Sequence, residues 1–222
     1  MAATRYGRDM RSLRERLLRM GGHVEEMLGG AIEALVQRDV ELARQVRGMD
    51  REVNRLEHEV DALCLQILGL HHPSGSDLRF VAVSMKLVTH LERMGDLAKN
   101  ISDRITELGQ RPQAMVYVDL PTMAERVRSM ISRALDAFVE RDVALAEQVI
   151  EDDTKVDDLY WRIHRSLEAV MKNNSEVVSY GVKLLLVCKY LERLGDHAAN
   201  IAEEVIFLVE GRDIRHPNSS NR

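Results

Sequence analysis

Leu91-Glu-Arg-Met-Gly-Asp96 recurs as Leu191-Glu-Arg-Leu-Gly-Asp196, and both copies run on through Ala-x-Asn-Ile to Ile101 and Ile201. A second pair lies upstream of each: Ala31-Ile-Glu-Ala-Leu-Val-Gln-Arg-Asp-Val40 and Ala134-Leu-Asp-Ala-Phe-Val-Glu-Arg-Asp-Val143. The offset is 103 residues from Ala31 to Ala134 and 100 from Leu91 to Leu191. Self-similarity at a fixed spacing marks an internal duplication. The three-residue difference belongs to a connection, Gly69 to Asp77 being longer than Lys172 to Glu176.

Around these segments the apolar residues fall three and four apart, the spacing of one helix face. Leu13, Leu17, Met20, Val24, Met27 and Ala31 form a first seam. Leu42, Val46, Met49, Val53, Leu56, Val60, Leu63 and Ile67 form a second, and Leu87, Leu91, Met94, Ala98, Ile101, Ile105 and Leu108 a third. A fourth runs Met123, Val127, Met130, Ala134, Ala137, and a fifth Leu145, Val149, Val156, Leu159, Ile163, Val170, interrupted by Asp152. The sixth is Leu184, Val187, Leu191, Leu194, Ala198, Ile201, Val205 and Leu208.

Pro73, Pro112, Pro121 and Pro217 all fall outside these seams, as they must if the seams are helices, since proline inside a helix costs ~3 kcal/mol or more. Gly69, Gly109 and Gly211 suit helix ends. Ser76, Ser175, Asp39 and Asp142 suit caps of the third, sixth, second and fifth helices, and Pro121 the first turn of the fourth. The fold class is therefore all-α: two tandem three-helix bundles related by internal duplication. The expected division is residues 1–111 and 112–211, with a disordered tail at 212–222. The Met-rich seams read as packing.

Composition agrees. Of 222 residues 45% are hydrophobic and 30% charged, which suits a folded soluble chain, while an aromatic share of 4% disfavours sheets. A net charge of −5 gives no electrostatic reason to bind nucleic acid. No apolar run reaches the ~18 residues of a membrane helix, and the Arg-studded start has no secretory core. Cys64 and Cys188 lack metal-ligand spacing and read as two buried thiols of a cytoplasmic protein. Gly-rich phosphate loops, His-Glu-x-x-His and Ser-His-Asp signatures are not readable.

The chemistry lies in the repeated acids. Glu92 and Asp96 are one helical turn apart, as are Glu192 and Asp196, and Asn100 and Asn200 add an oxygen one turn further on. The preceding helices carry Asp50 with Asn54, and Asp153 with Asp157. If helices two and three form an antiparallel hairpin, Asp50 lies level with Asp96, and Asn54 with Glu92, about a turn centred on residue 73. Asp153 with Asp196 and Asp157 with Glu192 do the same about Asn174 and Ser175. Each half thus gathers four oxygen-bearing side chains about 20 residues, or ~30 Å, from its turn.

Such crowding costs free energy through like-charge repulsion, which a bound cation reverses. Oxygen ligands suit Mg²⁺, Mn²⁺, Ca²⁺ or oxygen-bound iron. Gly95 and Gly195, each costing ~1 kcal/mol inside a helix, suit close approach of a neighbour. A lone acidic pair, neutralised by Arg93 or Arg193, is more often a solvated surface. The recurrence in both halves and the hairpin coincidence favour a site. His71 and His72 are expected to be solvated in a turn, His197 to lie beside the cluster or at the surface, and Trp161 in the core or an interface.

Six helices, the duplication and Glu-x-x-x-Asp in the third helix of each half make the chain resemble the PhoU family, from about Tyr6 to Gly211. The resemblance implies metal sites at Asp50, Glu92 and Asp96, and at Asp153, Asp157, Glu192 and Asp196, holding iron or another divalent or trivalent ion such as Mg, Mn or Zn. Asn54 stands where the second half has Asp157, so weaker metal binding is expected in the first half. The resemblance further implies a non-catalytic negative regulator of phosphate uptake and of the phosphate-starvation response. Its partners would be components of the phosphate ABC transporter and a sensor histidine kinase, met at the membrane surface. A homodimer is the expected assembly. A structural or oligomerisation bundle is the alternative. A carboxylate-bridged metalloenzyme ranks third, because no Glu-x-x-His pair is present.

Overall fold

The computed structural model describes residues 4–109 and 119–214. Among them are six α-helices: α1 (Arg5–Gln37), α2 (Val40–His71), α3 (Gly75–Leu108), α4 (Leu120–Glu140), α5 (Val143–Asn173) and α6 (Val178–Glu210), with a single 3-10 turn, Ser175–Val177, before α6. The longest spans about 50 Å. The boundary near Arg111 falls within residues 110–118, outside the described residues, as does most of the tail; of the tail's described part, Ile214 packs against the core.

The duplication reaches down to backbone angles. α1 and α4 both end on an arginine in the left-handed region, Arg38 (φ 59°) and Arg141 (φ 57°). The next residue, Asp39 or Asp142, caps the following helix by accepting the amide of Leu42 or Leu145 at 3.0 Å. The Arg-Asp pair of the repeat is therefore a helix-turn-helix corner, with the aspartate satisfying an amide the helix start leaves unpaired. Pro121 stands in the first turn of α4, and Gly109 and Gly211 end α3 and α6.

Three end signals differ. α2 runs through Gly69 to His71, and His72 takes the left-handed cap at φ 47°. Ser74 rather than Ser76 precedes α3, because the chain needs only His72-Pro73-Ser74 to turn. Asn174 caps the short 3-10 turn through the amide of Glu176, so Ser175 lies inside that turn.

α1, α2 and α3 pack on one another, as do α4, α5 and α6. The seams are the core: Leu13, Leu17, Met20, Val60, Met94, Met130, Val187 and Leu194 are fully buried. Both thiols are buried too, and burial pushes each up to about 12. Val170 is exposed, and Leu167 takes its place in the core. Asp152 interrupts its seam because it faces α4, where Arg133 and Arg126 reach it, with Lys155 on its own helix.

α3 and α6 join the halves, running antiparallel. Lys86 holds the buried Glu204 at 3.0 Å, Lys183 donates to the carbonyl of Glu107 at 2.9 Å, and Phe80 stacks on Phe138 with centroids 5.6 Å apart. His197 sits in this seam, its Nδ1 3.1 Å from that of His90. Trp161 and His71 also differ from the sequence reading, which put Trp161 in the core or an interface and His71 in solvent. Trp161 is 56% exposed, against Tyr160 and His164. His71 is half-buried, its Nε2 3.0 Å from Asp9, because the start of α1 covers the α2–α3 turn; only His72 faces solvent. Among the described residues no helix is long and apolar enough to cross a membrane.

Candidate metal centre

The hairpin register follows the equal-level construction closely. In the first half a Cβ on Gly95 would meet Val53 at 3.0 Å, and in the second a Cβ on Gly195 would meet Asp153 Oδ1 at 3.2 Å and Val156 at 3.3 Å. Each glycine therefore marks a level at which its neighbouring helix comes close. Val53 and Val156, and Asp50 and Asp153, are equivalent positions of the repeat. The third helix approaches the second closely enough that a methyl group would press on the carboxylate-bearing turn.

In the second half the approach brings acids together with little to balance them. Burial first, then repulsion from Asp196, Asp157 and Glu192, pushes the Asp153 carboxyl up to about 6. Asp157 is raised by burial and by Glu192, and Asp196 by burial, Glu192 and Asp157. The Oδ1 of Asp153 and the Oε2 of Glu192 are buried without a hydrogen-bond partner, a state that costs free energy. Lys189 reaches the other oxygen of Glu192 from the rim, its ammonium also lying 5.3 Å from the ring centroid of Tyr160. These are properties of a set of carboxylates short of positive charge. The donors, all carboxylate oxygens, suit a hard cation.

The first half is built differently. Asp50 is 5% exposed, and its Oδ2 accepts a hydrogen bond from Lys99 Nζ at 2.8 Å. The same ammonium lies 3.6 Å from Asp96 Oδ1. Asn54 Nδ2 sits 3.5 Å from Asp50 Oδ2, so the side chain that replaces a carboxylate here turns a donor towards Asp50. Glu92 is raised by burial and by Asp96, with Arg93 Nε 3.4 Å away pulling the other way. The Asp50 carboxylate first, and then that of Asp96, hold Lys99 above the usual lysine range.

All eight sequence-derived positions thus lie where α2 meets α3 and α5 meets α6, in two separate groups. Asn100 and Asn200 are half-buried one turn on, and neither hydrogen-bonds these carboxylates among the described residues. As the side chains stand, no three His, Cys, Asp or Glu among the described residues are gathered tightly enough to clasp an ion. Sequence reading passed over Lys99 because it occupies the variable position of Ala-x-Asn-Ile. The signal was there nonetheless: the copies read Lys99 and Ala199.

The chain is similar to the family described as the PhoU domain, matched twice, over residues 17–105 and 120–205. It is 38% identical to the phosphate-specific transport system accessory protein PhoU homolog of Pseudomonas aeruginosa, across 95% of this chain and 88% of that protein. It is 33% identical to the accessory protein PhoU of Escherichia coli, with 95% and 88% covered. Its fold matches the crystal structure of PhoU from Pseudomonas aeruginosa with a TM-score of 0.89 at 37% identity, covering 94% of this chain and all 100% of that one. The phosphate transport system regulatory protein PhoU from Streptococcus pneumoniae matches at 0.88 and 28% identity, covering 95% and 99%.

Proposed function

Because the chain belongs to the PhoU family, we propose that it is a non-catalytic regulator that restrains phosphate uptake and the phosphate-starvation response. It does so as an accessory of the phosphate transporter, and couples that transporter to a sensor histidine kinase. The observation that supports this reading most strongly is the match to a phosphate-specific transport accessory protein over 95% of the chain. The architecture suits contact rather than turnover. Helices about 50 Å long offer wide faces on which partner helices can lie. The protein acts from the cytoplasm on membrane complexes and pairs as a homodimer.

The second-half acids, Asp153, Asp157, Glu192 and Asp196, would hold a divalent or trivalent ion. It would supply the positive charge that Asp153 Oδ1 and Glu192 Oε2 lack. Joined through such an ion, α5 and α6 would keep a fixed spacing, and the face they present to a partner would be fixed with them.

The test is genetic. Deleting the gene should raise phosphate uptake and switch on a starvation reporter in phosphate-rich medium, and the intact gene should restore both. Unchanged phosphate behaviour would remove the regulatory reading.

A further inference from the structure

We propose that Lys99 is a built-in cation that takes the place of a metal ion in the first half, so that each chain offers one ion site and not two. The inference rests on the metal reading of the second half and sets its limit. Lys99 Nζ lies 2.8 Å from Asp50 and 3.6 Å from Asp96, the two carboxylates that face each other across the α2–α3 hairpin. An ion bound between them would sit against the ammonium, and at such separations two like charges repel strongly in a partly buried setting. The first-half residues therefore do not fit a metal while Lys99 is in place.

Both differences between the repeats act in the same direction. Asn54 removes one anion where the second half has Asp157, and Lys99 adds one cation where it has Ala199. The charge of the 95% buried Asp50 is balanced by a covalently attached ammonium on its Oδ2, although its Oδ1 is buried without a hydrogen-bond partner. Its charge balance is independent of the metal supply. In the second half Lys189 stays at the rim on Glu192, and Asp153, unlike Asp50, is in no ion pair among the described residues. The first bundle is then a permanent frame, and only the α5–α6 pair responds to ions.

The experiment is Mn²⁺ titration of the full-length, chelator-stripped protein by calorimetry, with bound Mn²⁺ counted by electron paramagnetic resonance. Wild type should bind one ion per chain, Lys99→Ala two, and Ala199→Lys should lose at least 100-fold in affinity. Lys99→Gln, which keeps a donor beside Asp50, is the second variant should the alanine form fail to fold, and it too should gain a site. Two ions on wild type, one of them lost in Asp50→Asn, would overturn the inference while leaving the second-half site intact. A count that neither Lys99 variant raises would also overturn it. Wild type binding no Mn²⁺ would remove the second-half reading alone, and a site gained on removing Lys99 would still uphold the role given to this lysine.

Discussion

Asp50 and Asp153 are the same position of one duplicated unit and meet opposite surroundings. Each has one buried oxygen without a hydrogen-bond partner, but Asp50 accepts a lysine and an asparagine amide on the other, whereas Asp153 is repelled by four further carboxylates, Asp196, Asp157, Glu192 and Glu203. The seams around them differ little, because Val53 and Val156 must both fit against a glycine of the facing helix. Packing tolerates little change at that level, whereas the acidic face beside it can change charge by single substitutions. Duplication kept the frame and let its electrostatics diverge.

Ion binding should separate the halves most. At Mn²⁺ a hundred times its dissociation constant, linkage stabilises the fold by about 2.7 kcal/mol. The paired substitution Glu192→Ala with Asp196→Ala should abolish that gain, whereas Glu92→Ala should leave it. Thermal melts with and without Mn²⁺ check this, and equal losses from the two halves would break the contrast.

Next in size is the effect of neutralising the equivalent aspartates in metal-free protein. Asp50→Asn should cost about 2 kcal/mol, since it takes from the half-buried Lys99 the nearer of its two carboxylates. Asp153→Asn should instead stabilise, by roughly 1 kcal/mol once solvent screening is allowed for. Urea unfolding in the presence of chelator reads both, and a common sign would refute the assignment of opposite surroundings.

The glycines sharpen the comparison. Gly95→Ala should destabilise by about 1 kcal/mol, the crowding of buried Val53 exceeding the helix propensity gained. Gly195→Ala should change stability by less than about 0.5 kcal/mol and weaken Mn²⁺ binding, because the new methyl presses on Asp153 Oδ1.

A pH slope separates the halves as well. Burial first, then His90 and Arg193, depress His197 to about 4. Its contribution is complete above the unfolded value of about 6.5 and is lost as pH falls towards 4. Asp153 works the other way: its carboxyl is raised, so its contribution is present below about 4 and lost as pH rises towards 6. His197→Leu, which copies Leu97 of the first half, should remove a rise of roughly 1 kcal/mol between pH 4 and 6.5. Asp153→Asn should steepen that rise. Chelator-treated unfolding curves across this range show which slope each residue carries.

Helix number, antiparallel register and the two acidic levels were legible because each rests on periodicity. The 3-4 spacing locates Leu13 to Ala31 or Leu184 to Leu208 without reference to the rest of the chain. The Arg-Asp corners were half legible: Asp39 and Asp142 announce caps, but nothing local says that Arg38 and Arg141 turn left-handed. His71 was misread because its partners, Asp9 and Tyr6, arrive from a helix more than 60 residues away. Lys99 was passed over for a related reason. A lysine on a charged helix face ordinarily reaches solvent, and only the α2–α3 packing shows that it reaches Asp50.

The most direct test is an anomalous difference map from crystals soaked in Mn²⁺. A peak among Asp153, Glu192 and Asp196, with none between Asp50 and Asp96 where Lys99 lies, is the predicted result. Peaks of equal height in the two halves, or one beside Asp50 alone, would contradict it.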